Sequence, residues 1–422
     1  MRKLDVFLEI QGSEVYAGHI QGDDKTDAVF TYDTDYTDKY PGISVALPLS
    51  KEPFSPIETS CFFEGLLPEG FSRKSVAKWL HADEEDYLTI LAGLGKECLG
   101  AIRVEESSDT GVEEPNYVPL TPEQVRDLAA EGATKSTELL VKSHLSLTGA
   151  SGKVGLYYKD GKWFQPLGTA PSTHIVKQSH VRLQHIVENE QLALRTAAHL
   201  GIPTIESFIV NQGGFNDSEI LLASKRYDRD LENSLKLVSG MSCPLRLHQE
   251  DFAQALGIPG NKKYESPGDE YLKRIFRLVR EQSKNPLRDQ ILLLDILIYD
   301  VLIGNTDNHI KNLSMLYTPD LSSMSLAPAY DLVSTMVYKE STAEMSIAIA
   351  GEIRWEKMNK ETFLEASQDI GISGKVIERE YDRLAKGFKD SLEKSVAELK
   401  KEGFLHVDEI SGKMMELCRE KI

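Results

Sequence analysis

Three oxygen-bearing side chains lie close together in the second half of the chain. Asp307 and Asn312 fall five positions apart in Ile303-Gly304-Asn305-Thr306-Asp307-Asn308-His309-Ile310-Lys311-Asn312. A second acid, Asp331, follows nineteen residues later in Pro328-Ala329-Tyr330-Asp331-Leu332. One carboxylate can orient an attacking hydroxyl, while a carboxamide oxygen and a second carboxylate can hold Mg²⁺ on nucleotide phosphates. That is most of what phosphoryl transfer asks of a protein. Spacing alone does not decide the matter, because Asp and Asn are ordinary loop residues. The elements around them must supply the rest.

An apolar segment, Ile291 to Ile303, leads into the loop and stops at Gly304, so a helix is expected over Asp289 to Leu302. Upstream, glycines at 149, 152 and 155 flank Lys153. They let backbone approach a ligand closely and aim N–H groups at phosphates. The spacing differs from the P-loop pattern G-x-x-x-x-G-K-[ST]. Val154 to Lys159, the turn Asp160-Gly161, and Lys162 to Gln165 read as a hairpin. Thr173 to Lys177 reads as a short strand ending in a lysine that can reach phosphate. Glu188-Asn189-Glu190 opens a helix through Leu200, and Glu190 is the expected partner of Lys177. Ile205 to Val210 and Ile220 to Ser224 read as strands, the second running into Lys225-Arg226-Tyr227-Asp228-Arg229, where a hinge would lie. Beyond residue 250 the periodicity is helical: Glu250 to Leu256, Glu270 to Glu281, Asp289 to Leu302, Lys360 to Gly371 and Val376 to Lys400. This order matches a two-lobed protein kinase, in which D-x-x-x-x-N is followed by a metal-binding Asp.

The first hundred residues read as a separate unit. Strands are expected over Leu4 to Ile10, Val15 to Ile20, Val29 to Tyr32, Ile43 to Leu47 and Cys98 to Val104. Helices are expected over Ser72 to Leu80 and Tyr87 to Leu94. Glu105 to Pro115 carries five acids with Ser, Gly and Pro and reads as a linker. The chain has 422 residues and a net charge of −18, which argues against a free-standing nucleic-acid binder and suits a basic partner. Cys61, Cys98, Cys243 and Cys418 lack metal-ligand spacing and point to a reducing cytoplasm. No run of 18 apolar residues occurs, so no membrane association is expected.

Taken together these segments resemble the HipA family of serine/threonine kinases, toxins of bacterial toxin–antitoxin pairs. The resemblance rests on Leu66-Leu67-Pro68-Glu69, Gly95 to Ala101, Ser146 to Lys153, Thr173 to Lys177, Glu188 to Glu190, Arg226 to Arg229, Asp307 to Asn312 and Tyr330-Asp331-Leu332, and spans nearly the whole chain. It implies an α+β, bilobed protein-kinase-like fold in four parts. These are a β-rich N-terminal subdomain (1–105), an acidic linker and helix (106–142), an α/β ATP-binding small lobe (143–228) and an all-helical C-lobe (229–422). It implies Asp307 as catalytic base and Asn312 and Asp331 on Mg²⁺. ATP contacts would come from Thr148, Gly149, Ala150, Ser151, Gly152, Lys153, Lys177, Lys225, Arg226, Tyr227, His309, Lys311, Asn312 and Tyr330. Ser146 falls where the family pattern carries an autophosphorylated serine. A HipB-like helix-turn-helix antitoxin would be the partner, operator DNA would be reached through it, and an aminoacyl-tRNA synthetase would be the protein substrate.

The chain departs from the family at two points and, like the family, from other kinases at a third. Ser151-Gly152 stands where Gln-Glu is frequent, Lys225 stands where a Glu aligns, and Leu332-Val333 replaces the Phe-Gly of other kinases, as is usual in this family. Two other classes fit the same loop. A small-molecule kinase of the aminoglycoside or choline type usually carries His-Gly before the Asp, where this chain has Asn305-Thr306. A catalytically dead binding module would keep the acidic body alone.

Overall fold

The structure is a computed structural model that describes residues 2–107, 114–131, 133–143, 147, 152–179 and 183–421. It divides into two compact units. The first comprises Met1–His180, Val210–Gly260 and Met315–Met324, and the second Val181–Ile209, Asn261–Ser314 and Ser325–Ile422. This division cuts the chain differently from the four sequence segments. Residues of 315–324 fold back into the first unit, where Tyr317 and Leu321 join its N-terminal core.

That core lies under an antiparallel sheet of β1 (Arg2–Ile10), β2 (Ser13–Gly22), β3 (Val29–Tyr32) and β4 (Ile102–Glu106), in the order β3-β2-β1-β4. Leu4, Val6 and Leu8 alternate inward along β1, as the strand period of two demands, against Phe30, Phe62, Phe63, Tyr87 and Leu91. A β-carbon on Gly18 would meet the Thr31 carbonyl oxygen at 2.2 Å, so this crossing of β2 and β3 admits only glycine. The helices Pro56–Phe63, Gly70–Trp79 and Tyr87–Leu94 cover the sheet. Ser55 and Glu58 form a capping box at the first of them.

Ile43 to Leu47 does not form the expected strand. Ile43 and Leu47 are buried, but the segment bends, and its polar groups turn elsewhere. The Ile43 N–H donates to the Tyr32 hydroxyl, and the Val45 N–H to Glu250 Oε1. The expected helix from Glu250 is shorter for a related reason: Gln249–Asp251 is extended and only Phe252–Ala255 is helical, capped by Asp251.

The second sheet of this unit contains β5 (Asn116–Pro119), β6 (Lys153–Lys159), β7 (Lys162–Leu167) and β8 (His174–Gln178). Ser207–Asn211 is β9 and crosses the unit boundary, and Ile220–Lys225 is β10. The strand order is β5-β7-β6-β8-β10. Asp160 and Gly161 both have positive φ at the β6–β7 turn, as the two-residue hairpin requires.

The second unit is mainly helical: Ile186–His199, Tyr271–Gln282, Pro286–Ile303, Gly374–Lys401 and Val407–Arg419. Pro286 at the start and Gly304 in the left-handed region at the end delimit the central helix. Leu293, Leu294, Leu297, Ile298, Val301 and Leu302 are buried along it. This unit is not all helix, since Glu344–Ile349 and Glu352–Arg354 form a hairpin turning at Ala350 and Gly351, both with positive φ. The expected helix Lys360 to Gly371 is broken at Ala366 into Lys360–Glu365 and Ser367–Ile370.

Candidate active site

The central helix delivers the loop. After Gly304 the chain is held at successive residues within the second unit. The Thr306 N–H donates to Thr335 Oγ1 at 2.8 Å, and the Thr306 carbonyl accepts from the Ser346 hydroxyl at 2.7 Å. Asn308 Oδ1 accepts the Ser346 N–H at 3.3 Å. Asn305, Thr306, Asn308, His309, Ile310 and Lys311 are buried, while Asp307 between them is exposed. The loop thus presents one carboxylate outward from a fixed frame.

Asn312 donates its Nδ2 to the Asp307 carbonyl at 3.0 Å. That bond fixes the carboxamide and leaves its oxygen as the ligand-type atom. Asp331 occupies the left-handed region at φ 58°, an uncommon state for a non-glycine residue and one that clusters at functional sites. Asn312 and Asp331 line one cavity together with Asp300, Asn305, Asn308 and Tyr330. The hard-oxygen character of this set fits Mg²⁺. Of the sequence-expected trio, Asn312 and Asp331 share this cavity, while Asp307 is joined to Asn312 through its backbone carbonyl.

Asp300, an acid inside the apolar central helix, is a residue of this cavity that sequence reasoning did not single out. It is 2% exposed and accepts from Asn305 Nδ2 at 2.8 Å, while its carbonyl accepts the Asn305 N–H at 2.8 Å. Burial pushes its carboxyl up to about 7, opposed by hydrogen bonds from Asn305 and Asn308. A polar residue at i−4 from a loop glycine, inside an apolar helix, was the available signal. Tyr330, expected at the nucleotide, has its hydroxyl on the Lys311 carbonyl at 3.0 Å and against Ser314 Oγ at 2.7 Å, and so braces the loop.

Of the other expected nucleotide contacts, Lys153, Lys177, Lys225, Arg226 and Tyr227 belong to the first unit, and His309 and Lys311 to the second. Lys153 on β6 and Lys177 on β8 are direct cross-strand partners, so two cations share one sheet face. Like charges in that register are unfavourable unless an anion joins them. Ser146, Thr148, Gly149, Ala150 and Ser151 lie outside the described residues, and Gly152 immediately precedes β6. Glu190 is buried on the Ile186–His199 helix of the second unit.

Arg226 is expected to meet the adenine through its backbone. Its N–H is donated to the Thr173 carbonyl at 2.9 Å, and its guanidinium is fully buried in an ion cluster. Arg226, Arg229 and Arg246 converge on Glu97, with N–O distances of 3.0, 2.9 and 3.0 Å. Arg226 also meets Asp228 at 2.7 Å, and Arg246 meets Glu9 at 3.2 Å. The three arginines hold the Glu97 carboxyl below the usual carboxylate range despite complete burial. Arg226 and Arg229 likewise hold Asp228 down at about 2. Lys225 at the end of β10 is exposed, and Tyr227 donates its hydroxyl to Gln249 at 2.8 Å.

His185, Glu188 and His406 also bring three ligand-type atoms within 4.8 Å. The two imidazoles are stacked at 3.7 Å and 9°, so their in-plane lone pairs run parallel and do not converge on one ion. His406 Nδ1 instead contacts Glu188 Oε1 at 2.7 Å.

Residues 145–392 match the HipA-like C-terminal domain and residues 8–105 the HipA N-terminal domain. The chain belongs to the HipA family. A putative kinase of Sinorhizobium fredii, Y4mE, is 32% identical over 365 residues, covering 84% of this chain and 82% of that protein. The serine/threonine-protein kinase toxin HipA of Shewanella oneidensis is 29% identical over 307 residues, covering 70% and 67%. A solved HipA structure from the same organism, in complex with HipB and operator DNA, superposes with a TM-score of 0.80 at 23% identity. It covers 99% of this chain and 97% of that one. The α+β fold is therefore that of HipA, and the family's named members are kinases. Among the described residues no helix is long and apolar enough to cross a membrane.

Proposed function

We propose that this chain is a Mg·ATP-dependent serine/threonine protein kinase serving as the toxin of a toxin–antitoxin pair. One observation carries the reading: Asn312 and Asp331 line a single cavity while Asn312 is tied to the backbone of exposed Asp307. Asp307 orients the acceptor hydroxyl and takes its proton. Asn312 Oδ1 and the Asp331 carboxylate would hold Mg²⁺, which when bound neutralises charge on the β- and γ-phosphates. Lys153 and Lys177 bind phosphate, supported by their shared face on adjacent strands. Backbone at 225–227 holds the adenine through groups other than the Arg226 N–H, which the Thr173 carbonyl already takes. His309 and Lys311 complete the nucleotide side, with Tyr330 acting through the loop. The test is incorporation of labelled phosphate from Mg·ATP into serine or threonine, expected for the wild type and lost on adding excess EDTA. Incorporation that survives chelation overturns the metal assignment.

The same reading places the chain in the cytoplasm with a HipB-like helix-turn-helix antitoxin, a partner whose basic surface suits a net charge of −18. DNA affinity then resides in the antitoxin, and the kinase alone shows negligible operator binding at physiological salt. An aminoacyl-tRNA synthetase is the proposed substrate. Ser146 is the proposed autophosphorylation site, because about −1.5 to −2 units of added charge beside an ATP loop would disfavour the nucleotide. Peptide mapping after incubation with Mg·ATP tests it.

A further inference from the structure

We infer that Tyr264 is a positioning residue for the Asp307 carboxylate, set there by a strap across the Glu344–Ile349 strand. The inference rests on the kinase reading above and adds to it a residue that no sequence pattern singled out.

Tyr264 donates its hydroxyl to Asp307 Oδ1 at 3.0 Å. The residue is 49% exposed, so burial alone does not hold it. Its neighbours do. The Glu265 N–H donates to the Ser346 carbonyl at 3.0 Å, and Glu265 accepts from the N–H groups of Tyr271 at 2.9 Å and Ala348 at 2.7 Å. The Tyr271 hydroxyl closes the strap on the Lys262 carbonyl at 2.5 Å. The anchoring residue, Ser346, is the one that also grips Thr306 and Asn308 on either side of Asp307. Strap and catalytic loop are thus pinned to one point. The Tyr264 ring stands edge-on to His309 at 5.4 Å and 77°, and the Lys263 ammonium lies 5.3 Å from its centroid. These contacts fix the direction of the phenol.

The chemistry follows from the geometry. A carboxylate on an exposed loop rotates freely about χ2 unless one oxygen is held. An ionised carboxylate offers two oxygens with about four acceptor sites. A phenol on Oδ1 fixes the plane of the group and directs Oδ2 to the acceptor hydroxyl. Such orientation lowers the barrier without adding affinity for ATP.

Tyr264→Phe removes the hydroxyl and keeps the ring on His309. Transfer of labelled phosphate from Mg·ATP is measured to the chain itself and to dephosphorylated casein. The expected result is a fall in kcat of about tenfold, the usual consequence of losing a hydrogen bond to a charged group. KM for ATP stays within about twofold and Tm is unchanged. Combined with Asp307→Gln, the change has no further effect, since both act through one group. An unchanged kcat overturns the assignment. A raised kcat also overturns it, because the hydroxyl would then be obstructing the acceptor. A second readout needs no catalysis: 3-fluorotyrosine placed at position 264 should shift its ¹⁹F resonance in Asp307→Asn protein. No shift means no contact, and the inference fails. Wild-type protein that transfers no phosphate while the resonance responds would instead sink the kinase reading and leave the contact standing.

Discussion

Two buried polar clusters in this molecule follow opposite rules of charge. In the first unit Glu97, Asp228 and Glu9 are matched by Arg226, Arg229 and Arg246, each charge facing an opposite one within hydrogen-bond distance. In the second, Asp300 is met by the carboxamides of Asn305 and Asn308, and among the described residues no lysine or arginine lines the cavity it shares with Asn312 and Asp331. The consequences show in the acids themselves. Arginines hold Asp228 down at about 2, whereas burial lifts Asp300 to about 7. A cluster closed on itself is a structural joint. An oxygen-rich cluster such as the second is the kind of arrangement with which phosphoryl-transfer chemistry holds a cation.

Breaking the closed cluster should have the largest effect on stability. Glu97→Ala leaves three buried arginines without their shared carboxylate, and removing one partner of such a network costs about 3–5 kcal/mol. Urea denaturation should show the unfolding free energy falling by that amount. A loss under about 1 kcal/mol would mean that water or relaxation compensates the arginines, and the cluster would not be the joint described. Replacing a residue of the open cluster should do the reverse, sparing the fold and harming the reaction. Asp331→Asn is expected to lower phosphate transfer by roughly a hundredfold to a thousandfold, about 3–4 kcal/mol in the barrier. Its Tm should stay near wild type, since Asn tolerates a left-handed backbone.

The pH response sharpens the contrast at smaller magnitude. Asp300 and Glu250 are both raised to about 7 by burial, so their stabilising contribution is complete below the ordinary carboxylate range and is lost as pH rises through about 7. Asp228 is depressed, so its contribution is present above the ordinary range near 4 and is lost as pH falls toward 2. Stability should therefore peak near pH 4, decline from there to about pH 7 and level off above it, with each raised acid accounting for on the order of 3–4 kcal/mol. Asp300→Asn should flatten the alkaline decline as followed by Tm from pH 5 to 8. An undiminished decline in that variant would remove Asp300 from the account.

The two clusters were also unequally legible. Asp307, Asn312 and Asp331 could be read because the loop is local: five positions and a following Pro-Ala-Tyr-Asp are visible in one line of sequence. The hairpin at Asp160-Gly161 and the helix stop at Gly304 were legible for the same reason, since each depends on a residue that accepts positive φ. The Glu97 cluster was not, because Arg246 and Glu97 are separated by 149 positions and nothing local marks their meeting. The sequence accordingly suggested only a backbone role for Arg226 and gave no sign that its side chain is taken up by the cluster. Ile43 to Leu47 alternates like a strand, yet its N–H groups are taken by Tyr32 and Glu250, partners far along the chain. Tyr264 lies 43 positions from Asp307 and reaches it only because the strap is pinned at Ser346.

The central claim is that Asp307 is the base of a phosphotransferase presented by a rigid loop. It is tested most directly by Asp307→Gln protein incubated with Mg·ATP, with labelled phosphate incorporation and Tm measured on the same preparation. The account predicts a loss of incorporation by orders of magnitude with Tm unchanged, because an exposed side chain supplies orientation and proton transfer and little stability. Incorporation at the wild-type rate in a folded Asp307→Gln chain would contradict it.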